Sequence, residues 1–267
     1  MRQLEANGIG VHVAEDGPAD APPVLFLHAL GTDLRIWEGV VARLADRVRC
    51  VRLDMRGHGL SECPPAPYHM GALVSDAEAA LEALDIQDAV VVGLSIGGLI
   101  AQGLAVKRLD LVRGLVLSNT AAKIGTREIW DQRIAAARAG GLAALTAPTL
   151  ERWFPEPFRN GPDAALIRRL FERQPLEGWA GCAAAIAGTD FITPTSGLRL
   201  PTLAIAGDRD GSTPPDLVRE TAELIPGARF HLIRGAGHLP CVDAPEAYAS
   251  ALQGFLSEIG HLGARTS

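Results

Sequence analysis

Hydrophobic residues along this chain fall into short unbroken runs separated by longer stretches with a helical period. Val24–His28 (VLFLH), Val48–Leu53, Ala89–Val92, Gly114–Leu117, Thr202–Ala206 and Arg229–Ile233 are rich in β-branched and aliphatic residues, with Gly, Pro or Asp close by. Runs of this length and composition predict buried strands. Between them, Asp33–Ala45, Met70–Leu84, Ile96–Val106, Asp216–Leu224 and Pro245–Ile259 repeat their apolar positions at helical spacing. Strands that are apolar throughout and alternate with helices predict an α/β fold, a mostly parallel twisted sheet covered by helices on both faces. Gly10–Ala14 reads as an antiparallel strand on the sheet's edge.

The alternation stops between Lys123 and Thr189. No strand pattern occurs there. The periodicity is helical over Arg127–Arg138, Leu142–Phe154, Asp163–Arg173 and Gly178–Ala187, punctuated by Pro148, Pro155, Pro157 and Pro175. A compact domain does not carry so long a loop without structure of its own. Residues 123–189 are therefore expected to be a helical lid inserted into a core formed by 1–122 and 190–267. Three of the four tryptophans, Trp130, Trp153 and Trp179, lie in this insertion.

At 267 residues, 48% hydrophobic and 21% charged, the chain has enough apolar surface for one large core. The formal net charge of −6 and the absence of a Lys/Arg stripe argue against nucleic acid as a partner. Cys50, Cys63, Cys182 and Cys241 are scattered without zinc spacing, and read as free thiols in a reducing compartment. The first residues, MRQLEANGIGVHVAED, lack the apolar stretch of a signal peptide, and no run approaches a membrane span. A cytoplasmic protein is expected, with no membrane partner.

Gly93-Leu94-Ser95-Ile96-Gly97 fits G-x-S-x-G, with a predicted strand before it and a predicted helix after it. That strand–turn–helix setting lifts a serine hydroxyl above the strand ends, beside a helix N-terminus that favours negative charge. A serine hydroxyl needs a base. His238, in Gly235-Ala236-Gly237-His238 between the last strand and the last helix, is the candidate, with His28 and His58 as rivals at the same sheet edge. The orienting acid is expected after the penultimate strand, in Gly207-Asp208-Arg209-Asp210-Gly211. Asp210 is preferred, and Asp208 reads as a turn former. The order Ser, Asp, His is that of α/β-hydrolases. Backbone N–H groups of Ile96 and Leu30 are the candidate oxyanion donors.

Together, His28-Ala29-Leu30-Gly31, Asp54-x-Arg56-Gly57-His58-Gly59, Gly93–Gly98, Gly207-x-x-Asp210 and Gly237-His238 resemble the α/β-hydrolase superfamily over almost the whole chain. The lid is similar to that of bacterial 3-oxoadipate enol-lactonases in Ser118–Gly125, Trp130, Leu150–Phe154 and Gly178–Ile186. The resemblance implies hydrolysis of an enol-lactone to 3-oxoadipate in the degradation of aromatic compounds, with no cofactor and no metal. Other chemistries that use the same triad are general carboxylester hydrolysis, perhydrolysis and C–C bond hydrolysis; a non-catalytic binding protein is the remote alternative. The expected partner is a small lactone or ester, and a homo-oligomer is left open. The enol-lactone bears a carboxylate, and a buried anion needs a cation. The expected substrate contacts are His28, Trp130, Arg133, Arg152 and Trp153. The chain departs from the resemblance at Thr189–Thr193, where these enzymes usually carry charged residues, including an arginine, and at Lys107-Arg108-Leu109.

Overall fold

A computed structural model describes residues 2–263. Eight strands form one sheet: β1 (Arg2–Ala6), β2 (Ile9–Asp16), β3 (Pro23–Leu27), β4 (Arg49–Leu53), β5 (Ala89–Leu94), β6 (Val112–Ser118), β7 (Thr202–Gly207) and β8 (Arg229–Ile233). Their spatial order is β1-β2-β4-β3-β5-β6-β7-β8. The pairs β1–β2 and β2–β4 are antiparallel, and every other pair is parallel. From β3 the chain crosses first to β4 on one side and then to β5 on the other. The crevice at the carboxyl ends of β3 and β5 is thus the topological switch point, where open α/β sheets bind ligands.

The helices are α1 (Glu38–Val41), α2 (Met70–Ala83), α3 (Ile96–Lys107), α4 (Arg127–Gly140), α5 (Ala143–Trp153), α6 (Glu156–Arg159), α7 (Pro162–Glu172), α8 (Leu176–Ala187), α9 (Ile192–Ser196), α10 (Pro215–Glu223), α11 (Pro240–Asp243) and α12 (Pro245–Glu258). All six residues of β5 are buried, as a central parallel strand requires. On β7 the alternation of side chains separates two faces. Leu203 and Ile205 join the main core, whereas Ala204 and Ala206 bury against Val218 and Ala222 of α10. Helices α4 to α9 all lie in the connection between β6 and β7, and the helical run continues through α9 past residue 189. Among the described residues no helix is long and apolar enough to cross a membrane.

Two expectations are corrected. The strand expected at the sheet's edge, Gly10–Ala14, belongs to β2, which has a neighbour on each side; β1 is the true edge. Asp33–Ala45 is not one helix but a 3-10 turn, Leu34–Trp37, followed by the single turn α1. Asp33 caps that turn through the Arg35 N–H at 3.0 Å. Trp37 is fully buried against Phe26 and Tyr248, with ring centroids 5.2 and 5.8 Å away. Packing of this ring outweighs the local helical period.

Candidate active site

Ser95 connects β5 to α3 with φ 58° and ψ −117°. A non-glycine residue there stores about 1–3 kcal/mol of strain, so its surroundings must hold it. They do so through the Ser95 N–H, which donates to Ser118 O at 3.0 Å, and through Thr120 Oγ1, which donates to Ser95 O at 2.6 Å. The flanking glycines are required by contact. A side chain on Gly93 would meet the Gly97 carbonyl, and one on Gly97 would meet the carbonyl oxygen of Leu27.

Asp210 and His238 follow β7 and β8 and meet each other. His238 Nδ1 lies 2.8 Å from Asp210 Oδ2. The same oxygen accepts from Asn119 Nδ2 and Thr213 Oγ1, both at 2.7 Å, and Oδ1 accepts from the N–H groups of Ser212 and Thr213 at 2.7 and 3.1 Å. Burial alone would push this carboxyl up. The imidazole of His238, the Asn119 amide and the Ser212 N–H outweigh it and hold Asp210 below the usual carboxylate range. Asp208 is turned elsewhere and accepts the Gly235 N–H at 2.7 Å. With Nδ1 committed to Asp210, the other imidazole nitrogen is left for the cavity, which both Ser95 and His238 line. Among the described residues the Ser95 hydroxyl makes no hydrogen bond.

The loop after β3 is set by two neutral histidines. His28 Nε2 accepts the Met55 N–H at 3.0 Å, so Nδ1 carries the proton and donates to Ala29 O at 2.9 Å. His58 Nε2 accepts the Gly31 N–H, also at 3.0 Å. Burial pushes both below the usual histidine range, His58 to about 3. His28 is fully buried and does not line the cavity, so the expectation that it contacts substrate is corrected to a structural role. Its ring is consumed in shaping the turn that presents Leu30. Leu30 itself lines the cavity. Among the described residues the backbone N–H groups of Leu30 and Ile96 have no acceptor.

The insertion closes the cavity. Trp130, Arg133, Arg152 and Trp153 all line it, together with Phe171 and Trp179, which the sequence did not single out for contact. Trp130 Nε1 donates to Ile124 O at 2.6 Å, and the Arg133 guanidinium sits 4.7 Å from the Trp130 ring centroid. Arg152 Nη2 reaches Thr149 Oγ1 at 3.3 Å, while its Nε is buried without a partner. Neither guanidinium is in an ion pair among the described residues. Burial lowers the proton affinity of both; the neighbouring Arg152 charge lowers that of Arg133 further, while the Glu151 charge partly offsets burial at Arg152. The end of α5 also touches the loops that carry Asp210 and His238. Arg152 O accepts the Gly211 N–H at 2.9 Å and Trp153 O accepts the His238 N–H at 2.7 Å. The Trp153 ring stacks on the imidazole with centroids 6.0 Å apart.

Among the described residues, no group of three or more His, Cys, Asp and Glu side chains is placed to hold a metal ion. A family model described as alpha/beta hydrolase fold matches residues 22–245. The chain belongs to the α/β-hydrolase family. This α/β-hydrolase is 33% identical over 257 residues to 3-oxoadipate enol-lactonase 1 of Acinetobacter baylyi, covering 95% of each chain. It is 31% identical over 254 residues to 3-oxoadipate enol-lactonase 2 of that organism, covering 94% of each. The crystal structure of the enol-lactonase from Burkholderia xenovorans LB400 superposes with a TM-score of 0.92 at 35% identity, over 96% of this chain and 99% of that one. A malate-bound thermophilic esterase from Thermogutta terrifontis also gives 0.92, at 28% identity over 98% and 100%. These relatives are thus hydrolases of the enol-lactonase and esterase kinds.

Asn119, Thr120 and Thr213 had no place in the sequence reading of the site. The signal for the first two was the polar trio Ser118-Asn119-Thr120 at the end of an apolar strand next to the one that leads into Ser95. Polar groups in such a position need partners, and here the partners are Asp210 and the backbone of Ser95.

Proposed function

We propose that this chain hydrolyses the ester bond of a lactone that carries a free carboxylate, with the 3-oxoadipate enol-lactone as preferred substrate. One observation carries the reading: the cavity lined by Ser95 and His238 also holds Arg133 and Arg152, which enter no ion pair among the described residues, Arg152 having only the charge of the adjacent Glu151 near it. A half-buried guanidinium without an ion-pair partner favours an anionic ligand. Identities of 31% and 33% to enol-lactonases along nearly the whole chain agree with this class, as does the malate, a dicarboxylate, held by the related esterase.

In this mechanism Ser95 Oγ attacks the lactone carbonyl and gives its proton to His238. Asp210 stabilises the imidazolium. The amides of Leu30 and Ile96 receive the oxyanion. Collapse of the tetrahedral intermediate breaks the ring C–O bond, and the leaving enolate takes the proton from His238 and tautomerises to a ketone. Water, deprotonated by His238, then releases the acid and frees Ser95. Arg133 and Arg152 hold the free carboxylate.

The test compares the enol-lactone, a neutral lactone and p-nitrophenyl acetate on the wild type and on Arg152→Met and Arg133→Met. Losing a charged hydrogen bond of about 1.5–3 kcal/mol raises KM for the enol-lactone about 10- to 100-fold, with p-nitrophenyl acetate within about twofold. Turnover of esters without turnover of the enol-lactone favours a general carboxylesterase, a reading supported by the apolar remainder of the cavity wall. Undiminished hydrolysis by Ser95→Ala would remove both.

A further inference from the structure

Asn119 follows β6 with φ 43°, in the left-handed region, and is fully buried. Its N–H donates to Ile205 O on β7 at 2.8 Å, which fixes the residue against the neighbouring strand. Its side-chain amide then donates twice, to Asp210 Oδ2 at 2.7 Å and to the carbonyl oxygen of Gly237 at 3.2 Å. These acceptors belong to different loops, and Gly237 is the residue before His238. The loop of the base is held on its other side as well, where the Gly237 N–H donates to Asp243 Oδ2 at 2.7 Å.

We propose that Asn119 is a positioning residue of the Ser95–His238–Asp210 unit, whose one amide ties the acid loop to the base loop and competes with the imidazole for Asp210 Oδ2. The inference rests on the triad reading given above. Oδ2 accepts from three donors, His238, Asn119 and Thr213, and each of them takes part of its charge. Removing the Asn119 amide leaves more of that charge for the imidazolium, which binds its proton more tightly. It also frees the Gly237 carbonyl, and with it the register between imidazole and hydroxyl. The other charged groups near the pair are Asp243 on α11 and, across the cavity, Arg152 on α5 and Arg133 on α4. None of them replaces an amide that touches both loops.

The experiment uses p-nitrophenyl acetate and two variants. Asn119→Gly suits the backbone angle, so it removes the amide without adding backbone strain. Its kcat is expected to fall about 10- to 100-fold, the scale of a misplaced catalytic group. KM stays within about twofold, and the acidic limb of the pH–rate profile moves to higher pH. Asn119→Asp keeps the shape and places a second carboxyl beside Asp210. Two carboxyls in contact share a proton, and the protonated one donates to Oδ2 as the amide does. This variant is expected to work on the acidic side of its profile and to lose rate as pH rises and the shared proton leaves, a limb the wild type lacks. Unchanged kcat in Asn119→Gly overturns the inference. So does a fall in kcat with an unmoved acidic limb, or an Asn119→Asp profile that coincides with the wild type. Labelling of wild-type Ser95 by a fluorophosphonate separates the failures. No labelling removes the triad reading and this inference with it, whereas labelling together with unchanged Asn119→Gly kinetics overturns this inference alone.

Discussion

Asp243 shows how one buried carboxyl ties the site to pH. Its Oδ2 accepts the Gly237 N–H, while its Oδ1 is buried without a partner. Burial, and to a smaller extent the nearby Asp210 charge, push it up to about 7. The folded protein therefore keeps a proton that the unfolded chain releases, from the ordinary carboxyl range up to about pH 7. Where the native state binds more protons, stability falls as pH rises, so this group's contribution is lost across that window. An amide at this position does not ionise, and its side-chain oxygen still accepts the same bond. Asp243→Asn is thus expected to gain thermal stability relative to the wild type between pH 5 and pH 8, as read by melting temperature. An equal offset at the two pH values would show that the carboxyl is not perturbed. None of this was legible in the sequence, because it follows from burial that only the folded chain defines. Ser95, Asp210 and His238 were legible as candidates because each sits in a glycine-marked loop directly after a strand.

At the scale of elements, legibility depended on whether local pattern and packing agreed. The buried parallel strands announced themselves as apolar runs. β1 did not, because Arg2–Ala6 is polar and mostly exposed, as an edge strand is. A signal lay beside it nonetheless: Asn7-Gly8, with φ of 53° and 75°, forms the two-residue turn between Ala6 and Ile9. The Asp33–Ala45 segment went the other way, with a helical period that lost to the burial of Trp37. The elbow between β5 and α3 was the most legible element, because its glycines are dictated by contact. Gly97→Ala puts a methyl group into the Leu27 carbonyl, and neither backbone segment has room to retreat. A loss of about 3 kcal/mol or more is expected in urea unfolding. A variant within about 0.5 kcal/mol of the wild type would mean that strand and helix are less closely joined than described.

For the whole molecule, the cavity opens at the sheet's switch point, and the insertion supplies most of the side chains that line it. The sequence could place the helices of the insertion between two strands, but not their contacts, since those depend on backbone groups that carry no side-chain signature. Two such contacts join α5 to the loops of Asp210 and His238. The amides of Gly211 and His238 are therefore expected to resist hydrogen exchange together with α5, because they open only when the insertion lifts. Fast exchange at these two amides, with β7 and β8 still protected, would show that the insertion opens by itself.

The carbonyls of Arg152 and Trp153 have a consequence for inheritance. The helix turn that lines the cavity also holds the loops of Asp210 and His238, so under the proposed function neither can change alone. Grafting another hydrolase's insertion onto this sheet would leave Gly211 and His238 unmatched unless the strand-end segments at 207–214 and 235–240 travelled with it. If the proposed function holds, specificity on this scaffold is then transferred as a composite of three separate stretches, not as a detachable module.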